Sequence, residues 1–218
     1  MADLELIIGN KKYSSWSMRP WIAMKVFDIP FLETLVRFDH ADPENHNPHF
    51  KDVSPARKVP TLRQGGLTIW DSLAILEYLA EIYPDRRWWP GNRDARAHAR
   101  SISNEMHSGF FALRDECPMN MARKVSAVKL SKDAKKDVAR VEEIWRDCLS
   151  TSGGPFLFGK FTIADAMFAP VVNRFEKYEA SDCKDAKKYM ASIKSLDAWK
   201  DWERDGISEP WIVEIAEK

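Results

Sequence analysis

Cysteine is scarce in this 218-residue chain: there are three, Cys117, Cys148 and Cys183. They are odd in number, far apart and outside any Cys-x-x-Cys arrangement, which excludes a disulfide framework and a structural zinc site and leaves them as reduced packing residues. Net charge is also missing, since 33 basic residues balance 33 acidic ones. No global field therefore draws the protein to nucleic acid or to an anionic membrane, and neither is expected as a partner. No apolar run approaches the roughly 18 residues of a spanning helix, and residues 1–9 lack the basic start, apolar middle and small-residue cleavage site of a signal peptide. The chain reads as cytoplasmic. Its five histidines, His40, His46, His49, His98 and His107, form no His-Glu-x-x-His or Cys/His grouping, so no metal is expected.

What is present divides in two. Residues 4–8 form a short apolar run ending at Gly9, and residues 34–38 alternate in strand fashion. Between them a helix is expected after the serines Ser14, Ser15 and Ser17, with Pro20 tolerable in its first turn and Trp21, Ile22, Met24 and Val26 as its apolar residues. Residues 42–54 are turn-rich, and strands are expected at 59–63 and 67–70 around the tight turn Gly65-Gly66. A helix then starts at Asp71. The order β-α-β-loop-β-β-α suits a small mixed sheet with helices packed on it. Residues 83–90, with Pro84, Pro90, two arginines and two tryptophans, read as a linker between a domain at 1–82 and one at 91–218. The second domain reads as all-helical, because 94–114 and 132–149 carry apolar residues at three-to-four spacing and no strand-like alternation follows. Thr162 to Asp165 has the form of a capping box opening an unusually apolar helix, and the tryptophans within 199–211 are expected to pack the C-terminal region over the core.

Two motifs carry the chemistry. Pro60 lacks an N–H and stands at the head of the run Val59-Pro60-Thr61-Leu62, so it can start a strand but not lie inside one. A cis Val59-Pro60 bond would leave the Val59 N–H and C=O free to pair with an extended peptide. Ser72 at the start of the helix over 73–79 offers a hydroxyl beside unpaired helical N–H groups, a combination that favours a carboxylate, and Asp71 supplies the charge for an ammonium. Taken alone, these are a turn proline and an ordinary helix cap. Their context changes that reading.

A β-α-β-β-α module with proline heading its third strand, followed by a helical domain with a buried Thr-x-x-Asp cap, resembles the cytosolic glutathione transferases over nearly the whole chain. Ser14-Ser15-Trp16-Ser17-Met18-Arg19 resembles the serine motif of the zeta class and its bacterial relatives, whose form is Ser-Ser-Cys-Ser-x-Arg. Lys58-Val59-Pro60-Thr61-Leu62 and the stretch from Asp71 to Leu79 fit the same superfamily. The resemblance implies an α/β thioredoxin-like N-terminal domain, an all-α C-terminal domain and a homodimer touching through the 71–79 helix and the first long helix of the second half.

It also implies glutathione as co-substrate, with no metal. Ser72 would hold the γ-glutamyl carboxylate, Asp71 the ammonium, Val59 and Pro60 the cysteinyl backbone, and Lys58, with Asn45 or His46, the glycine end. A free thiol has a pKa of roughly 8.5, so the thiolate needs a hydrogen-bond donor. Ser14, five residues before Arg19, is the first candidate donor and Ser15 the alternate, with Ser17 expected as a helix cap and Arg19 orienting the loop or covering the helix surface. Thioredoxin-like proteins carry a reactive cysteine at this helix; here Cys117 is the first cysteine, which excludes dithiol and cysteine-type chemistry at the site. Met106, His107, Phe110, Phe111 and Arg114 are expected to line the electrophile's cleft. Trp16 replaces the zeta motif's cysteine and Phe111 stands where zeta enzymes tend to have glutamine, departures that argue against maleylacetoacetate isomerisation itself. The reading is a serine-assisted glutathione transferase, acting by conjugation or isomerisation. Its alternative is a non-catalytic binding or regulatory module of the same fold, which loss of the serine donor or of the Asp-Ser pair would favour.

Overall fold

A computed structural model of the chain describes residues 3–38 and 50–218. Its first half is built in the order β1 (Leu4–Ile8), α1 (Ser15–Val26), β2 (Leu32–Leu35), β3 (Thr61–Gln64), β4 (Leu67–Ile69) and α2 (Ser72–Ile82). The strands form one sheet in the order β2-β1-β3-β4, with β1 parallel to β2 and the other pairs antiparallel. A parallel pair needs a crossover, and α1 supplies it. Alternation along β1 decides which face is which: Leu4, Leu6 and Ile8 join the main core with Met18 and Ile22 of α1, while Ile7 packs on the other face with Phe50, Val53 and Val59. Each such side chain, fully buried, contributes about 1.5–3 kcal/mol.

Several boundaries differ from the sequence expectation. β2 lies at Leu32–Leu35 rather than 34–38, because its register with β1 runs from Glu5 opposite Leu32 to Ile8 opposite Leu35. β3 begins at Thr61, one residue past Pro60, which has no N–H to give the ladder. The helix expected over 94–114 is two helices, α3 (Arg93–Ser108) and α4 (Phe111–Glu116). Gly109 ends α3 with its N–H on the Glu105 carbonyl at 2.9 Å, and a Cβ at Gly109 would lie 2.8 Å from that oxygen. Phe110 then turns left-handed at φ 60 and buries its ring in the core.

The helical half continues with α5 (Lys132–Ser152), α6 (Ile163–Lys177), α7 (Lys184–Ser195), α8 (Asp197–Ser208) and a short 3-10 turn, Glu214–Ala216. α6 is buried from Ile163 to Phe175, which places it at the centre. Its N-terminus is fastened by Asp165, which accepts from the Thr162 N–H at 2.8 Å, the Thr162 hydroxyl at 3.1 Å, the Leu157 N–H at 3.0 Å and the Tyr189 hydroxyl at 3.2 Å. Trp199 and Trp202 of α8 are fully buried. α1 packs against both α6 and α8, so the helical half directly supports the loop preceding α1. Among the described residues no helix is long and apolar enough to cross a membrane.

Candidate active site

The N-terminus of α1 is the first arm of the site. Ser14, not Ser17, is the N-cap: its Oγ accepts from the Ser17 N–H at 3.3 Å, and its φ and ψ of −81° and 83° are non-helical. Ser17 lies inside the first turn, its hydroxyl sharing a hydrogen bond of 2.8 Å with Ser14 and accepting from the Gly9 N–H at 3.0 Å. Ser15 is the first helical residue, and its Oγ accepts from Nη2 of Arg174 at 3.4 Å.

The loop before Ser14 is held from the far end of the chain. Glu209 accepts from the Lys11 N–H at 2.7 Å and the Lys12 N–H at 3.1 Å, one on each carboxylate oxygen, and Lys12 Nζ donates to the Glu209 carbonyl at 2.6 Å. Lys11 Nζ bridges Glu33 at 2.8 Å and Asp205 at 2.9 Å. Gly206 of α8 lies against this loop so closely that a Cβ there would sit 3.1 Å from the Lys11 carbonyl and the Lys12 nitrogen. Glu209 was invisible to sequence reasoning, because its partners lie 197 and 198 residues away.

The second arm is the approach to β3 and the start of α2. The Val59-Pro60 peptide is cis, as is Trp70-Asp71. Val59 is buried and precedes the strand ladder, while Lys58 is exposed and its carbonyl accepts from the hydroxyls of Ser54 and Thr61 at 3.3 and 3.1 Å. Asp71 caps α2, Oδ1 accepting from the N–H groups of Leu73 at 3.1 Å and Ala74 at 3.5 Å, while its Oδ2 pairs with His107 Nε2 at 3.0 Å. Ser72 is fully buried, and its Oγ has no hydrogen-bond partner among the described residues. Asn45 and His46 lie outside the described residues.

Between the arms stands Trp16, ringed by cations. The guanidinium carbons of Arg19 and Arg114 lie 4.1 and 4.7 Å from its ring centroid, and the His107 ring meets it edge-on at 5.2 Å. Arg19 is 1% exposed, so it is not a surface cover: its Nε donates to the Met167 carbonyl at 3.2 Å and its Nη1 is buried without a partner among the described residues. Arg114 donates to the carbonyls of Met106 and His107, and Arg174 to those of Arg114 and Cys117. None of the three forms an ion pair with a carboxylate among the described residues. Burial, then repulsion from Arg114 and Arg174, pushes the Arg19 guanidinium well below its usual range, with Asp71 opposing. Burial and the neighbouring Arg114 push Arg174 down to about 10, which still leaves it charged at neutral pH.

Of the residues expected in the cleft, the structure brings Arg114 and His107 to Trp16. Met106 and Phe110 are core residues, 1% and 6% exposed, and Phe111 is turned to solvent at 72%. Arg174 was missed, although an arginine inside a helix with so long an apolar run is itself a signal, since arginine is rarely buried without a partner. Among the described residues no cluster of His, Cys, Asp and Glu is arranged to hold a metal ion.

Comparison with known proteins decides the lineage of this arrangement. Residues 13–82 match the glutathione S-transferase N-terminal domain and residues 112–204 the C-terminal domain. A probable maleylacetoacetate isomerase of Caenorhabditis elegans is 32% identical over 165 residues, covering 74% of this chain and 75% of the relative. The chain belongs to the glutathione S-transferase family. The maleylacetoacetate isomerase of Rattus norvegicus is 28% identical over 166 residues, covering 76% and 74%, and glutathione S-transferase T1 of Arabidopsis thaliana is 28% identical over 208 residues, covering 90% and 82%. Among solved structures, a Burkholderia glutathione transferase homologue with bound glutathione superposes with a TM-score of 0.69 at 22% identity, covering 94% of this chain and 98% of that one. Poplar glutathione transferase F1 gives 0.71 at 18% identity, with the same coverage. The isomerase relatives place this transferase on the zeta side of the family, in keeping with its Ser-Ser-Trp-Ser-Met-Arg motif.

Proposed function

We propose that this transferase binds glutathione along β3 and the start of α2, ionises its thiol at the N-terminus of α1, and directs it at a small electrophile bearing a carboxylate. The observation that carries the glutathione reading is Ser72: a fully buried hydroxyl, without a partner among the described residues, at a helix start where N–H groups favour an anion. Ser72 would donate to the γ-glutamyl carboxylate, and Asp71 Oδ2 would accept from the ammonium beside His107. Val59, outside the ladder, would offer its N–H and C=O to the cysteinyl unit, with Pro60 shaping that approach, and Lys58 would reach the glycine carboxylate.

Glutathione supplies the nucleophilic sulfur; the chain supplies its ionisation. A thiol of pKa roughly 8.5 is only a few per cent ionised at neutral pH, and each unit by which the pKa falls is worth about 1.4 kcal/mol. Ser14 would donate to the sulfur from the N-cap, where the helix dipole adds positive potential, with Ser15 one residue on against Arg174. The thiol proton passes to solvent, and the sulfur attacks an electron-poor carbon.

The class of electrophile is inferred from the arginines. Arg19 and Arg114 flank Trp16 and Arg174 lies beside them against Ser15, none with an ion-paired carboxylate among the described residues, and an incoming carboxylate would meet that charge with hydrogen bonds suited to its geometry. Maleylacetoacetate, which the isomerase relatives are named for, belongs to this class, although Trp16 in place of cysteine points to a different acid. The enzyme would act as a homodimer touching through α2 and α3; the exposed side chain of Trp70, 42% accessible beside α2, supports this, and a stable monomer by sedimentation refutes it.

Calorimetry with glutathione, followed by turnover against paired electrophiles with and without a carboxylate, tests the reading. Ser72→Ala should lose about tenfold in glutathione affinity while leaving the melting temperature unchanged, since the hydroxyl it removes has no hydrogen-bond partner among the described residues. No heat at millimolar glutathione would refute the proposal and favour the binding-module alternative.

A further inference from the structure

We propose that Ser17 is a positioning residue for the thiolate donor, so that the donor is a relay of two hydroxyls rather than Ser14 alone. The inference rests on the reading of Ser14 as that donor. It comes from counting protons. The two side chains carry two hydroxyl protons, and the hydrogen bond between them, 2.8 Å long, uses one. The Ser17 oxygen also accepts from the Gly9 N–H, and the Ser14 oxygen from the Ser17 N–H. One hydroxyl proton is therefore left over.

Which serine keeps it depends on how the pair is oriented, because hydroxyl protons rotate to suit their surroundings. If Ser14 donates to Ser17, the spare proton belongs to Ser17, whose accessibility is 0% and which has no other acceptor among the described residues. A buried donor left unsatisfied is costly. If Ser17 donates to Ser14, the spare proton is on Ser14, at the end of α1 where the sulfur would lie. A thiolate there satisfies that proton and favours the second orientation. The hydrogen bonds then run in series from the Gly9 N–H to Ser17, from Ser17 to Ser14 and from Ser14 to sulfur, each polarising the next. Ser17 never touches substrate; it acts only through Ser14.

The test reads the pKa of enzyme-bound glutathione from the ultraviolet absorbance of its thiolate, titrated across pH at saturating glutathione. Ser17→Ala should lower the bound thiolate fraction at neutral pH by about threefold to tenfold, the range of one hydrogen bond, while the glutathione dissociation constant stays within about twofold. Ser14→Ala should lower it further. The double variant should be no worse than Ser14→Ala, because a residue acting through Ser14 has nothing left to act on. Should Ser17→Ala fold poorly, Ser17→Cys keeps the side chain's shape with a weaker donor and should fall between the native enzyme and Ser17→Ala. A thiol pKa unmoved by either Ser17 substitution but moved by Ser14→Ala overturns the relay and leaves the donor standing, as do effects that simply add in the double variant. A pKa unmoved by Ser14→Ala overturns both.

Discussion

Removing the Glu209 carboxylate should loosen the loop that carries Ser14, and the size of the effect follows from two bonds. Glu209 is 9% exposed, and its oxygens accept from the Lys11 N–H at 2.7 Å and the Lys12 N–H at 3.1 Å. Glu209→Ala leaves two buried backbone donors unpaired, each costing about 1–3 kcal/mol; with some entry of water, a loss of about 3 kcal/mol is expected. Glu209→Gln keeps one accepting oxygen and turns an amide N–H toward the other donor, so about half that loss is expected. The Lys12 ammonium, which bonds the Glu209 backbone carbonyl at 2.6 Å, survives both changes. Urea denaturation reads the difference directly. With a slope of about 2 kcal/mol per molar, Glu209→Ala should lower the midpoint by about 1.5 M at unchanged slope, with Glu209→Gln between it and the native protein. Gly206→Ala probes the same seam from α8, where the added Cβ would lie 3.1 Å from the Lys11 carbonyl, and should cost about 1–3 kcal/mol. A midpoint for Glu209→Ala within about 0.3 M of the native value would refute the clamp.

Two further outcomes are expected. Burial pushes Asp165 up to about 6, against the four hydrogen bonds that favour its charged form. A folded-state pKa above the unfolded one adds stability that is complete below about pH 4 and lost as pH rises through about 6, so the advantage of the native protein over Asp165→Asn should shrink by about 2–3 kcal/mol between those values and then level off. Parallel denaturation curves at pH 4 to 8 check this, and a difference flat across that range refutes it. Arg114→Gln should raise KM about tenfold for a carboxylate-bearing electrophile and leave a neutral one little changed; equal losses on both would refute the carboxylate assignment.

How much of this could be read from sequence depends on the reach of the interaction. β1 and the capping box of α6 were legible because runs and caps are local patterns, and α5 because its apolar spacing is regular for five turns. The start of α2 was legible for the same reason, since Asp71 caps it through N–H groups two and three residues on. The break between α3 and α4 was not, because one glycine inside a periodic stretch does not reveal that its chain will pass 2.8 Å from a carbonyl where a Cβ would stand. Ser14 and Ser15 were located but their partners were not: Ser17 lies within the same turn, yet Arg174 reaches Ser15 from 159 residues away. Phe111 and Met106 were grouped with Arg114 by helical placement, but Met106 of α3 is buried in the core and Phe111, on α4 with Arg114, is turned to solvent. Arg19 and Arg174 were hidden by a sound prior, that charged side chains face water.

That prior fails here for a physical reason. Desolvating a guanidinium is expensive, and the usual compensation is a carboxylate. Arg19, Arg114 and Arg174 instead lean on backbone carbonyls, and the first two also on the ring of Trp16, contacts that do not cancel their charge. The positive potential therefore survives into the space beside Ser15, where Arg19 and Arg174 are buried and screened less than at the surface. On the proposed reading it has two uses at once. It lowers the free energy of a thiolate held at the α1 N-terminus, adding to the helix dipole, and it meets the carboxylate of an electrophile, bringing the carbon to the sulfur. A carboxylate from the protein in the same place would stabilise the fold and cancel both effects. Asp71, the one acidic group opposing the downward push on Arg19, is already engaged by its helix cap and by His107 Nε2 at 3.0 Å. The charge imbalance at Trp16 is thus a cost in stability carried where a bound anion would repay it.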